Sequence, residues 1–375
     1  MIAPRAAAMQ TYDRGLAGLV AGDTAIGRLD GEHGRLWYRG YTVEDLAARA
    51  SFEEVAFLIL RGELPDGEEL AEWKDRLVGW RAAPEQAIAM LEHLPQKAHP
   101  LAQFRTAMTA AACLIPEPGD MSHEAQWRRP ARILAWTADL AAASIRRTLG
   151  QKPLPPRDEL NYAANFLWQA LGREPDPEEA RAFEACLIVH AEHGLHAAAL
   201  AALTVASTGA DLGSAVLAGM GALSGELHGG AGQVAFETIE ARSSPEEARR
   251  WARERLAEGY RFAGFGHRIY KTHDPRVRIL EPYAERLTKR AGRHEQWEIF
   301  QTIREEVEDR LGPRGIRLNV DGITGLIYRP LGLPIESFTI PFCLAIQIGW
   351  MAQCLEYMPG GRLIEPLSVY VESPR

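Results

Sequence analysis

The run from Ser337 to Cys354 carries no charged side chain over eighteen consecutive residues. That length reaches the lower edge of a membrane span. The run also holds Gln347, Gln353, Pro341 and Gly349, which suit a helix enclosed by protein better than one facing lipid. A helix that is apolar on every side has to be covered by others. The segment from about Phe338 to Met358, stopped by Pro359-Gly360-Gly361, is therefore expected to be the central helix of a larger helical assembly. No membrane partner is expected.

The rest of the chain agrees with a mainly helical fold. Thr24 to Asp30 and Arg35 to Tyr38 flank the turn Gly31-Glu32-His33-Gly34 and read as one hairpin. Almost everything after it has helical spacing. A helix opens at Thr42-Val43-Glu44-Asp45. Ser51-Phe52-Glu53-Glu54 carries an N-cap serine with Glu54 at the capping-box position, and its helix ends near Gly62. Asp176-Pro177-Glu178-Glu179 and Ser244-Pro245-Glu246-Glu247 are two further starts, with a capping side chain, proline in the first turn and acids at the positive helix end. A long helix is expected from Trp127 to Leu149, continuous after Pro130, and another from His294 to Leu311, stopped by Gly312-Pro313. Thr204 to Leu223 is an apolar helical stretch, and Pro116 to Asp120 is a break.

With 375 residues the chain is long enough for two domains of roughly 150 residues each. No linker or internal repeat marks a boundary. The formal charge of −8 and the lack of a long basic run argue against nucleic acid as a partner. An anionic substrate remains compatible if cations are concentrated locally. Cys113, Cys186, Cys343 and Cys354 form no Cys-x-x-Cys pair and sit far apart or in apolar runs. Buried free thiols in a reducing cytoplasm are expected. Met1 to Gln10 has no apolar core of signal-peptide length.

Three stretches concentrate the chemistry. The first is Gly264-Phe265-Gly266-His267-Arg268-Ile269-Tyr270-Lys271-Thr272-His273-Asp274-Pro275-Arg276. Its glycines let backbone approach a ligand closely, and its cations suit phosphate or carboxylate. The second is Leu227-His228-Gly229-Gly230, and the third is Asn319-Val320-Asp321-Gly322. One carboxylate and two imidazoles make a workable set for removing a proton next to a carbonyl. Singly, His228 and His267 read equally as hydrogen-bonded loop histidines, and Asp321 as a turn or cap residue. His190, His193 and His196 spread over about 120° of a helix with no Cys or Asp beside them, so no metal site is expected.

Together, in this order and spacing, the three stretches resemble the signature of the citrate synthase family, and the resemblance runs from about Gly15 to Val371. It implies a two-domain helical fold, with a large domain over residues 1–227 plus 330–375 and a small domain over 228–329 that closes over the cleft. It also implies a homodimer. The substrates would be acetyl-CoA, or another acyl-CoA, and a 2-oxo acid, oxaloacetate by default, with no cofactor beyond the CoA thioester itself. In the family's roles Asp321 removes a proton from the acetyl methyl group, His228 holds the enol oxygen and His267 bonds the acceptor keto oxygen. His193, from His190-Ala191-Glu192-His193, and Arg276 bind the acceptor. Arg268, Lys271, Arg314, Arg317 and Asn319 would serve CoA, with the backbone of Ala263 to Gly266 near the adenine.

The chain departs from that pattern at the acceptor end. Ile346 stands where members usually carry an arginine, four residues before Trp350. Glu365 stands where they carry the arginine of an Arg-Pro pair contributed across the dimer. His196 replaces a frequent asparagine. A changed acceptor, a longer acyl-CoA, a lyase running in the cleavage direction and a non-catalytic CoA-binding paralogue are the competing expectations. Retention of Asp321 argues against the last.

Overall fold

The computed structural model describes residues 15–16, 18–114 and 122–368. Met1 to Gln10 and the break at Pro116 to Asp120 lie outside them. The described chain begins with a small antiparallel sheet in the order β1 (Gly27–Asp30), β2 (Arg35–Tyr38), β3 (Tyr41–Thr42). The expected hairpin is present, with Asp30 opposite Arg35. The third strand corrects the reading of a single hairpin. It follows a turn through Arg39 and Gly40, whose φ values of 49° and 89° are both positive, as a tight two-residue turn requires. Arg39 is held in this conformation by two guanidinium bonds, 3.2 and 3.0 Å, to the carbonyl of Ile59. An Arg-Gly turn and a two-residue strand leave too little pattern to be read from sequence.

Sixteen α-helices follow among the described residues. The first group is α1 (Val43–Arg49), α2 (Phe52–Arg61), α3 (Gly67–Gly79), α4 (Glu85–Met90) and α5 (Pro100–Ala112). The next is α6 (His123–Thr148), α7 (Tyr162–Leu171), α8 (Pro177–His190), α9 (Ala197–Ser207) and α10 (Leu212–Leu223). Then come α11 (Ala231–Glu240), α12 (Pro245–Ala257), α13 (Pro275–Arg290), α14 (His294–Leu311), α15 (Asp321–Leu331) and α16 (Thr339–Tyr357).

The caps form where they are expected. Ser51 and Glu54 close a reciprocal box on α2, Asp176 and Glu179 another on α8, and Ser244 accepts from Glu247 N on α12. Each satisfies backbone N–H groups that a helix start leaves free. Two elements depart from expectation. α6 begins at His123, four residues before Trp127, because Ser122 supplies the N-cap. The stretch Thr204 to Leu223 is not one helix: it breaks after Ser207 and restarts at Leu212, where Asp211 accepts from Ser214 N.

α16 is the core element. Helices α2, α5, α6, α8, α9 and α10 all pack on it, and 89% of the most apolar eighteen-residue window within Ile335–Tyr357 is buried inside the protein. Its hydrophobicity is thereby spent on other helices. Helices α11 to α15 pack mainly among themselves, α11 and α13 on α15 and α12 on α14. α13 and α15 also touch α8, which brings the second helical group against the first. Cys186, Cys343 and Cys354 are buried, whereas Cys113 is exposed at the C-terminal end of α5. For Cys113 the expectation of a buried thiol is incorrect, because its helix ends there at the surface.

Candidate active site

The loop between α12 and α13 is anchored on three sides. Gly264 O accepts from Asn319 N at 2.9 Å, Gly266 N donates to Arg317 O at 2.7 Å, and Asn319 Nδ2 donates to Gly266 O at 2.7 Å. Phe265 and Leu318 form a β-bridge. Gly264 has φ of 80°, and a Cβ there would lie 2.5 Å from Gly322 Cα. Only glycine permits this backbone contact. The β1–β2 turn supports the other end: Lys271 N donates to Gly31 O at 3.0 Å. The hairpin thus acts as a buttress for the loop.

Asp274 joins the loop to the Asp321 turn. Its carboxylate accepts from Arg276 Nε at 2.9 Å and Nη2 at 2.7 Å, and from Val320 N at 3.0 Å. Burial raises its pKa, but the charge and hydrogen bonds of Arg276 outweigh this and hold it below the usual carboxylate range. Burial likewise opposes the charge of Arg276, and Asp274 more than restores it. Arg276 Nη1 has no hydrogen bond to the described residues and is free for a ligand. Asp321 opens α15, with its N–H bonded to Asn319 Oδ1 at 2.9 Å. Desolvation pushes its carboxyl up to about 6, with Asp274 adding to this and Arg276 opposing it. A carboxylate that ionises near neutrality is a competent general base.

His267 accepts at Nδ1 from Ile269 N (3.0 Å) and Tyr270 N (3.1 Å). Burial, followed by the charge of Arg276, lowers its pKa to about 4. The ring is therefore neutral, its proton sits on Nε2, and Nε2–H is left to donate. His193 Nε2 lies 3.2 Å from the Tyr270 hydroxyl. The rings of His193 and His267 are 5.1 Å apart, and those of His267 and Tyr270 stack at 4.7 Å. Burial and the charge of Arg276 also hold His193 neutral, well below its ordinary value.

His228 lies in the turn between α10 and α11. Gly229 makes this turn possible: a Cβ there would fall 2.2 Å from Leu223 O. Its carbonyl accepts from Thr339 Oγ1 at 2.8 Å, tying the turn to α16. His228 Nε2 lies 3.1 Å from His196 Nδ1, and its ring is edge-on to Phe342. Desolvation lowers its pKa. His190, His193 and His196 serve separate partners: Cys186 O, Tyr270 and His228 respectively.

The expected CoA cations form one exposed rim. Arg268, Lys271, Arg314 and Arg317 are all solvent-accessible, and the Gly266 to Arg317 bond and the contact of Gly315 with Lys271 hold their two loops side by side. Arg268 Nη2 bonds Gly15 O, Lys271 Nζ bonds His267 O, and Arg317 reaches Glu308 only at 4.0 Å. Asn319 is not on this rim. It is buried and positions the turn before Asp321.

The site therefore gathers His193, His267, Arg276, Asn319 and Asp321 in one cluster, with His228 in an adjoining one shared with His196. Sequence reasoning assigns no role to Tyr270, Asp274, Phe342 or Trp350. Only Asp274 has a local signal, as the residue before Pro275 that caps α13. Ile346 is fully buried, and Glu365 is exposed.

Residues 15–367 match the family model described as "Citrate synthase, C-terminal domain". The chain is 34% identical over 362 residues to the citrate synthase of Deinococcus radiodurans, covering 96% of both chains. It is 38% identical over 372 residues to the 2-methylcitrate synthase of Mycobacterium tuberculosis, covering 99% of this chain and 93% of that one. The structure of citrate synthase from Thermoplasma acidophilum, in ternary complex with carboxymethyl coenzyme A and oxaloacetate, superimposes with a TM-score of 0.93 at 30% identity. That match covers 97% of this chain and 98% of the other.

Proposed function

Since this chain belongs to the citrate synthase family and is an acyltransferase of that family, we propose that it condenses an acyl-CoA, acetyl-CoA in the first instance, with a 2-oxo acid. The observation that carries the reading is that Asn319 ties the segment of a desolvated carboxyl, Asp321, to the loop of a neutral imidazole, His267, whose N–H is left free, with the charge of Arg276 acting on both. Asp321 takes a proton from the carbon beside the thioester carbonyl. His228 donates to the thioester oxygen as it becomes an enolate. His267 Nε2–H polarises the acceptor's keto group. The nucleophilic carbon then attacks that carbonyl carbon, the keto oxygen collects a proton, and water cleaves the thioester to release CoA.

Oxaloacetate is the acceptor named for the Thermoplasma acidophilum complex. Ile346 and Glu365 favour a second reading, in which the acceptor carries less charge or the acyl group is longer, as the 2-methylcitrate synthase relative suggests. The rim of Arg268, Lys271, Arg314 and Arg317 suits the phosphates of CoA. The decisive assay offers acetyl-CoA and propionyl-CoA with a panel of 2-oxo acids and reads release of the CoA thiol. At least one pair should release thiol at a rate dependent on Asp321. No release from any pair would overturn the proposal.

Residues 228–329 are proposed as the small domain closing over the cleft, which the mutual packing of α11 to α15 supports. A homodimer is proposed on the half-exposed apolar face of α9 and α10, with Leu200, Val205, Leu217 and Ala222. Sedimentation at micromolar concentration should give twice the chain mass, and a monomer would count against it. A cytoplasmic location is proposed on four cysteines without a disulfide.

A further inference from the structure

We propose that Trp350 and His196 form a hydrogen-bond relay that sets the tautomer of His228, making His196 a positioning residue for the condensation. The inference rests on the proposed function for its catalytic consequence, but the relay itself is read from geometry. Trp350 Nε1 lies 3.3 Å from His196 Nε2, and His196 Nδ1 lies 3.1 Å from His228 Nε2. The indole nitrogen can only donate. His196 Nε2 must therefore accept, so the single proton of a neutral His196 sits on Nδ1. That proton is donated to His228 Nε2. The proton of a neutral His228 is then confined to Nδ1, which has no hydrogen bond to the described residues. One donor-only group at the start of the relay thus decides which nitrogen of His228 carries the proton.

Both rings are neutral as the argument requires. Burial, and then the proximity of His228, lowers His196 to about 3, and burial lowers His228. The remaining charge facing His196 is that of Arg276, which pushes in the same direction. The first donor is rigid. Trp350 is 1% exposed, and Gly219 of α10 lets the helix lie against its ring, since a Cβ at 219 would come within 2.6 Å of it. Phe342 packs on the His228 ring at nearly a right angle, with 6.1 Å between centroids. The relay joins α16, the turn before α9 and the turn before α11, so the core helix orients a catalytic imidazole. An enolate oxygen beside His228 receives a neutral N–H whose direction is set before substrate arrives.

The relay predicts a specific pattern of tolerance. Asparagine at 196 offers one acceptor and one donor and can keep the polarity, whereas alanine breaks the chain. Trp350→Phe keeps the ring but removes the only fixed donor. In free wild-type enzyme with nitrogen-15-labelled histidine, His228 should show a protonated, pyrrole-type Nδ1 and a pyridine-type Nε2. In His196→Ala and Trp350→Phe that assignment should be lost or mixed. With the preferred substrates, kcat should fall about 10- to 100-fold, the range for outer partners of a functional histidine, while KM for the acceptor stays within about threefold. His196→Asn should recover most of kcat. Circular dichroism checks that each variant keeps its helical content. A wild-type His228 protonated at Nε2, or an unchanged tautomer in both relay variants, would overturn the proposal. The tautomer is read on free enzyme, so a chain that releases no thiol but shows protonated Nδ1 upholds the relay and overturns the function.

Discussion

Asp321→Ala is expected to lower turnover by about 10²- to 10⁴-fold, the contribution of a positioned general base, and to leave CoA binding nearly unchanged. Asp321 and Asp274 are the two carboxylates in the cluster, and they are not interchangeable. Asp274 is occupied by Arg276 and by Val320 N and is held ionised with weak basicity. The Asp321 carboxylate has no hydrogen bond among the described residues, and desolvation raises it to about 6. The pH dependence follows from that direction. The base works when ionised, so kcat/KM should rise with pH through about 6 and level off above it, with about a tenth of the plateau at pH 5. The desolvation also bears on stability. The folded value lies above the ordinary 3.8, so folding favours the protonated form and stability declines as pH rises from about 4 to about 6. The alanine variant should then unfold at no lower temperature than wild type at pH 7. Turnover above about a tenth of wild type would remove Asp321 from the role of base.

Wild-type enzyme is expected to handle oxaloacetate poorly, with a Michaelis constant well above the common range of about 1 μM to 1 mM, and Ile346→Arg with Glu365→Arg should improve it. A dicarboxylate entering a desolvated cleft needs cations to replace its hydration. Arg276 offers Nη1, but its charge is largely balanced by Asp274 at 2.7 Å. His193 and His267 are neutral donors. Gln347 and His196, near the places of the missing arginines, are otherwise engaged. Gln347 donates to Thr137 Oγ1 and Leu344 O inside the core. His196 is neutral and bonded to His228 and Trp350. Arg362 is exposed and meets the Tyr357 hydroxyl through its backbone N–H and carbonyl. Each charge-assisted carboxylate contact is worth roughly 1.5–3 kcal/mol, so two restored contacts should raise kcat/KM for oxaloacetate by roughly 10²- to 10⁴-fold. Because position 346 is buried, Glu365→Arg alone is the companion variant, with CoA binding as the check on folding. Efficient use of oxaloacetate by wild type, with no gain in either variant, would show that the acceptor's charge is met by other groups.

What could be read from sequence depends on the range of the forces involved. Ser51 with Glu54, Asp176 with Glu179, and Ser244 with Glu247 are contacts over three residues, and their chemistry is complete within one turn of chain. The central helix was legible because an uncharged run of that length has only two environments, lipid or other helices, and its glutamines and proline favour the second. The break at Thr208 to Asp211 was local too, yet the surrounding apolar residues masked Asp211 as a cap. The strand β3 had almost no local signal, since it exists by pairing with β2.

The three chemistry-bearing stretches stood out by residue type, and their resemblance to the citrate synthase signature supplied the reaction class. Their working states did not. His193 meets Tyr270 across 77 residues of chain, Asp274 meets Val320 across 46, and His196 meets Trp350 across 154. The low carboxyl of Asp274, the raised carboxyl of Asp321 and the neutrality of His193 and His267 follow from such distant contacts and from exclusion of water. A sequence specifies which groups can ionise or donate. Desolvation and non-local hydrogen bonds decide which of them do, and these come into being only when the helices have packed.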